Sequence, residues 1–185
     1  MRIMIWFLLI PLWLSTNVFA YILAPVLPAF ASLRFGATDN GNAVGIEPRL
    51  PDWLSWFMTP DNSLLGDATY KELNDSGYWS QVRWLWRNPA VGFESNMLSC
   101  YIPPHSMPVV YGDPSIRDGY PAKAGYCFVK LNGYWSLTYI KQIASRCLYV
   151  SLGWQLKTYA EDPSRVKKEP IARYALTIRF STFYR

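Results

Sequence analysis

The side chains nearest to a chemical pattern are four oxygen-bearing residues in a short stretch. Asp61, Ser63 and Asp67 are spaced as in a calcium loop, and Glu72 is twelfth when counted from Asp61. Such a loop needs an oxygen ligand at its fifth position as well, where this chain has Leu65. The stretch therefore reads as a turn that feeds a helix, with side-chain oxygens holding backbone amides. Asp61 and Asp67 could also serve acid–base work, but nothing singles them out from turn formers. Histidine-based triad chemistry would have to run through His105, the one histidine, in the Pro-rich loop 103–108. Cys100, Cys127 and Cys147 form no CxxC pair, and an odd count suits a reducing compartment. Adjacent Arg146 does not activate Cys147, because neighbours on a strand point to opposite faces. GxSxG, Walker, HExxH and GxGxxG patterns are absent. The expectation is a protein without catalytic residues, metal or cofactor.

The elements that carry these residues begin with a hydrophobic run. The 28 residues from Ile3 to Phe30 hold no charge, beyond the ~20 needed to cross a bilayer core. Trp6, Trp13 and Tyr21 add interfacial character. Pro11 would kink a helix, and Pro25 and Pro28 mark its end, so the expected helix spans Ile3 to Ala24. The rival is a cleaved signal peptide, with candidate sites at Val18-Phe19-Ala20 and Ala29-Phe30-Ala31. A single n-region arginine and the apolar sequence beyond Ala20 favour retention. The expected division is a transmembrane anchor over 1–33, a flexible linker over 34–50 and an extramembrane α+β domain over 51–185.

Within that domain, Asp52 is placed to cap a short helix carrying Trp53, Trp56 and Phe57 at helical spacing. This stretch could lie on the membrane surface or plug a core. Residues 67–73 suit a helical turn or two. Tyr78–Arg87 is a second helix, stopped by Asn88-Pro89. Trp79, Val82 and Trp86 share one side of it, and Arg83 and Arg87 another. That helix could face a core or an interface. Strands are expected at Phe93–Ile102, Gly125–Leu131, Tyr134–Ile140, Arg146–Lys157 and Ala172–Tyr184. Asn132-Gly133 turns a hairpin, Gly153 marks a bulge, Tyr159–Pro170 is a charged loop, and Tyr174, Leu176, Ile178 and Phe180 alternate. The fold class is thus α+β: an N-terminal transmembrane helix, short helices, then an antiparallel sheet of four or five strands.

Charge divides the chain. Residues 34–116 carry five Lys/Arg against nine Asp/Glu, and residues 117–185 carry twelve against four. A basic C-terminal third suits anionic lipid, nucleic acid or an acidic partner, or a solvated sheet face. Its cations are interleaved with strand residues, so no specific nucleic-acid binding is predicted. Nine Trp, thirteen Tyr and nine Phe suit a dense aromatic core or the water–lipid boundary.

The stretches Leu50-Pro51-Asp52-Trp53-Leu54-Ser55-Trp56-Phe57-Met58-Thr59-Pro60-Asp61-Asn62-Ser63, Gly66-Asp67 and Trp84-Leu85-Trp86-Arg87-Asn88-Pro89-Ala90-Val91-Gly92-Phe93 resemble a family of small tailed-bacteriophage and prophage proteins. So do Gly153-Trp154-Gln155-Leu156-Lys157 and Arg179-Phe180-Ser181-Thr182-Phe183. The resemblance covers most of the chain after residue 45. It implies a phage-encoded, membrane-associated protein and transfers no catalytic residue.

The leading expectation is a single-pass binding protein at the host inner membrane, in contact with lipid and with a host or phage protein. The positive-inside tendency puts its C-terminal domain in the cytoplasm. Trp53, Trp56, Phe57, Trp79, Arg83, Trp86 and Arg87 are its candidate membrane or partner contacts. The alternatives are a virion component with a buried N-terminus, a periplasmic domain, and a membrane-associated enzyme using carboxylates.

Overall fold

The computed structural model describes residues 2–36 and 44–183. It is an α+β structure with an N-terminal apolar helix, several short helices and a five-stranded antiparallel sheet. The chain forms two compact units: Ile10–Met97, and Met1–Leu9 together with Leu98–Arg185. Helix α1 (Ile3–Leu23) contributes residues to both.

In the Ile10–Met97 unit, β1 (Ser32–Gly36) pairs antiparallel with β2 (Val44–Arg49). Within the linker expected over 34–50, residues 34–36 and 44–49 are strand, and residues 37–43 lie outside the described residues. Backbone pairing holds these flanks, and the Arg34–Asp52 ion pair (2.7 Å) ties β1 to the next element. That element is a 3-10 helix, Asp52–Phe57. Asp52 lies in its first turn rather than capping it, and Pro51 occupies the cap position. Helix α2 (Ala68–Leu73) is capped by Asp67, whose carboxylate accepts the Tyr70 amide at 2.8 Å. Helix α3 is Tyr78–Arg87. The core gathers Leu50, Leu54, Met58, Leu64, Val82 and Leu85 around Ala24 and Leu27, just beyond the end of α1.

The strand expected at Phe93–Ile102 is instead helix α4 (Val91–Met97), followed by the two-residue strand β3 (Cys100–Tyr101). Ala90 turns the chain at φ 51° and its carbonyl accepts the Glu94 amide, which starts the helix. Gly92 makes the packing possible. A Cβ there would stand 2.1 Å from the Ser55 carbonyl oxygen.

In the other unit, the sheet runs β4 (Val109–Gly112), β5 (Gly125–Leu131), β6 (Tyr134–Ile143), β7 (Arg146–Trp154) and β9 (Tyr174–Thr182). Asn132 (φ 49°) and Gly133 (φ 79°) turn β5 into β6, both in the left-handed region that such a hairpin needs. The charged segment expected as a loop over 159–170 instead contains α5 (Lys157–Glu161) and α6 (Arg165–Lys168). Strand β8 (Ile171–Ala172) pairs with β3 outside the main sheet, which shortens the expected last strand.

Gly153 is not a bulge, because the register runs unbroken from β6 through it to β9. Its role is close approach: φ is +96°, and a Cβ would stand 2.3 Å from the Trp135 carbonyl oxygen. Gly153→Ala should cost about 2–3 kcal/mol through backbone displacement and strain. Gly119, which faces open space, should tolerate Ala within about 0.5 kcal/mol. Urea unfolding in mild detergent compares the two.

Candidate membrane interface

Helix α1 has 21 residues, which rise about 30 Å, the thickness of a hydrocarbon core. It is long and apolar enough to cross a membrane. Met4, Leu8, Leu14, Phe19 and Ile22 are each more than half exposed. Its polar side chains bond to the helix itself: Ser15 to the Pro11 carbonyl, Thr16 to that of Leu12 and Asn17 to that of Trp13, at 2.7, 2.8 and 2.9 Å. Groups satisfied this way place little unpaired polarity in lipid. One side of the helix carries protein contacts. The Trp13 indole N–H donates to the Glu94 carboxylate at 2.5 Å, and Trp6 is buried against Trp135 and Tyr174.

The C-terminal end of α1 leaves carbonyls without helical donors. The Trp86 indole N–H donates to the Tyr21 carbonyl (3.0 Å), and the Tyr78 hydroxyl donates to that of Pro25 (2.6 Å). Phe57 packs on Phe19, and Trp53 on Phe30, with ring centroids 6.2 and 6.0 Å apart. Three of the seven candidate residues, Trp53, Phe57 and Trp86, therefore touch the N-terminal segment. Trp56 packs on Phe93 and Trp79 on Tyr78 instead.

On α3 the buried residues include Val82, Trp84 and Leu85, while Trp79, Arg83, Trp86 and Arg87 are exposed. Helical spacing puts those four on one stripe. The expected separation of tryptophans from arginines is therefore corrected: Trp79 and Trp86 leave the core and join the cations. Trp84 takes the interior, with its ring centroid 4.9 Å from that of Tyr70. Trp53 is 71% exposed, so it is not a core plug, while Phe57 is half-buried.

The sheet has two unlike faces. One carries the rows Tyr111–Phe128–Leu137–Leu152–Leu176, Tyr126–Tyr139–Val150–Ile178 and Lys141–Leu148–Phe180. The other carries Cys127–Thr138–Ser151–Thr177, Val129–Ser136–Gly153–Ala175 and the buried Leu131 and Ile140. Thr138, Ser151 and Thr177 line a cleft closed by Gln155, Lys157 and Thr158, so α5 covers the hydroxyl-bearing face. Lys157 is paired with Glu161 at its edge. The alternation of Leu176, Ile178 and Phe180 gave no sign that Ile178 and Phe180 face outward.

The residues that first suggested chemistry serve the backbone. Ser63 accepts the Leu65 amide at 3.2 Å, and Asp67 caps α2. Asp61 and His105 are exposed. Among the described residues, no three His, Cys, Asp or Glu side chains come together as a metal site. All three cysteines are free and buried. Burial pushes the Cys100 thiol from its ordinary 9.0 up to about 12, against the pull of Arg2.

These features define an α+β protein whose N-terminal apolar helix ends among exposed aromatics and cations. The chain belongs to the family of unknown function DUF7338, whose model matches residues 1–185. No curated protein and no solved structure matches it.

Two outcomes follow from this geometry. Trp6→Ala should cost about 3–5 kcal/mol, because it empties a packed aromatic site. Exposed Trp79→Ala should stay within about 0.5 kcal/mol, and chemical denaturation of the two variants measures the contrast. The raised Cys100 pKa has a definite sign. Below pH 9.0 folded and unfolded chains both hold the thiol proton. As pH rises from there towards about 12, only the unfolded chain releases it, so stability is lost across that window. Urea midpoints at pH 8, 9.5 and 11, with Cys100→Ala as comparison, test this; a part of the loss specific to Cys100 is expected.

Proposed function

We propose that the protein is a non-catalytic binding protein attached to a membrane by α1. Its remaining surface docks a host or phage protein at the inner membrane of a bacterial host. The observation that carries the attachment is α1 itself, with no charge, exposed apolar side chains and polar side chains turned onto its own backbone. Its packing supports retention in the mature chain. Cleavage after Ala20 would remove Trp6 from the sheet unit and buried Ala20 from the other. The bacteriophage setting rests on the resemblance of the Trp- and Pro-rich motifs, and the cytoplasmic placement on the basic C-terminal third. The exposed stripe of Trp79, Arg83, Trp86 and Arg87 is the surface best suited to a partner, since Trp and Arg dominate binding hot spots.

Cell fractionation with N-terminal sequencing tests this reading. The expected result is an intact N-terminus, sedimentation with membranes through a high-salt wash, and release by mild detergent. Recovery in the soluble fraction without detergent, or a mature chain starting at Tyr21 or Ser32, would overturn it. Trp79→Ala combined with Arg83→Ala should leave membrane recovery unchanged and lower detergent-stable co-purification of the partner at least tenfold.

A further inference from the structure

We propose that the outer face of the five-stranded sheet is a second lipid-contact surface, resting on a leaflet rich in anionic headgroups. The inference rests on the membrane reading of α1 and adds where, and on what lipid, the sheet unit sits. Strand register sends every second side chain to this face. Ile178 and Phe180 are each 68% exposed there, and Tyr139 is 38% exposed. In an ordinary one-sided sheet the apolar face is inside and the hydroxyls face water. Here the covered face is already filled, by Val129, Leu131 and Ile140 together with the hydroxyls beneath α5, yet Ile178, Phe180, Tyr126 and Tyr139 are exposed on the opposite face.

Charge decides what covers the open rows. Lys130, Lys141 and Arg146 project from this face and are exposed, and its described residues include no Asp or Glu. A second copy docked by two-fold symmetry would set these cations against themselves, with no acid to pair them. An anionic leaflet complements them, and each surface cation strengthens such attraction. Tyr126, Tyr139 and Phe180 beside the cations have the composition of the headgroup boundary. The face is also continuous with α1. Trp6 is seated at one end of it, on Trp135 and Tyr174, so the first turns of α1 adjoin this face.

The test uses full-length protein purified in mild detergent and reconstituted into vesicles. Phe180→Cys, and separately Ile178→Cys, carry a polarity-sensitive dye. Lys167→Cys on α6 is the comparison site, and unlabelled buried native cysteines are checked in the parent chain. With phosphatidylglycerol in the vesicles, the dyes at 178 and 180 should shift to the blue, brighten several-fold and be quenched by brominated lipid. The dye at 167 should stay water-like. Pure phosphatidylcholine, or Lys141→Glu with Arg146→Glu, should remove most of the shift while the protein still floats with the vesicles. Water-like dyes at 178 and 180 on protein that floats would overturn this inference and leave the attachment by α1 standing. So would a blue shift that appears without vesicles and grows with protein concentration, which would mean self-association. Protein that does not float at all would overturn the attachment reading, and this inference with it.

Discussion

The burial of the Trp6 indole on the sheet is the contact on which the rest depends. The ring stacks on Tyr174 at 5.7 Å and meets the edge of Trp135 at 5.3 Å. Its N–H donates to the Ala175 carbonyl, and the Tyr174 hydroxyl donates to the Trp6 carbonyl, both at 3.2 Å. A tryptophan in such a site removes 150–250 Å² from water, about 4–6 kcal/mol of transfer free energy. That is a large share of a small domain's net stability. The apolar helix proposed to attach the protein to a membrane is therefore also a piece of core. On the proposed attachment, lipid binding to α1 would be linked to folding of the sheet unit, because what binds the folded arrangement stabilises it.

The elements with strong local signals were legible from the sequence. Helix α3 matches its expected bounds, and Asn132-Gly133 marks its hairpin, because a stop at Asn88-Pro89 and a turn needing positive φ are local constraints. Features set by distant residues were not legible. Helix α4 looked like a strand because Val91 and Phe93 alternate over too short a run to fix a period. It forms because Gly92 can lie against the carbonyls of Ser55 and Met58, some 35 residues earlier. The small and polar residues 37–43 drew attention from the flanks of the 34–50 segment, where Phe35, Val44 and Ile46 lie in paired strands. The interior face of α3 was misjudged for a similar reason. Tyr70 gives Trp84 a partner, and no spacing rule within α3 could favour Trp84 over Trp86.

Trp86 and Tyr78 show why so many aromatics sit outside the cores. Each has an apolar body and one polar group, and each uses that group on a backbone carbonyl near the end of the apolar segment. At that end a helix leaves acceptors that lipid cannot satisfy. An amphipathic ring there supplies the donor and presents its apolar surface outward. Of the seven residues singled out from the sequence, Trp53, Phe57 and Trp86 meet Phe30, Phe19 and Tyr21, which lie in the hydrophobic run itself.

The sheet extends the same logic to the other unit. Val129, Leu131 and Ile140 fill the covered face of the sheet, while Ile178 and Phe180 on the other face gain nothing from being surrounded by water. The arrangement becomes favourable if the medium on the open side is not water. Lys130, Lys141 and Arg146 then lie where long basic side chains can reach headgroups while their aliphatic stems cover apolar surface. The basic third of the chain is thus divided by the pleat. These three cations share the open face, while Arg179 sits on the opposite face in an ion pair with Asp118 at 3.1 Å. Net charge alone cannot separate these two populations; strand register does.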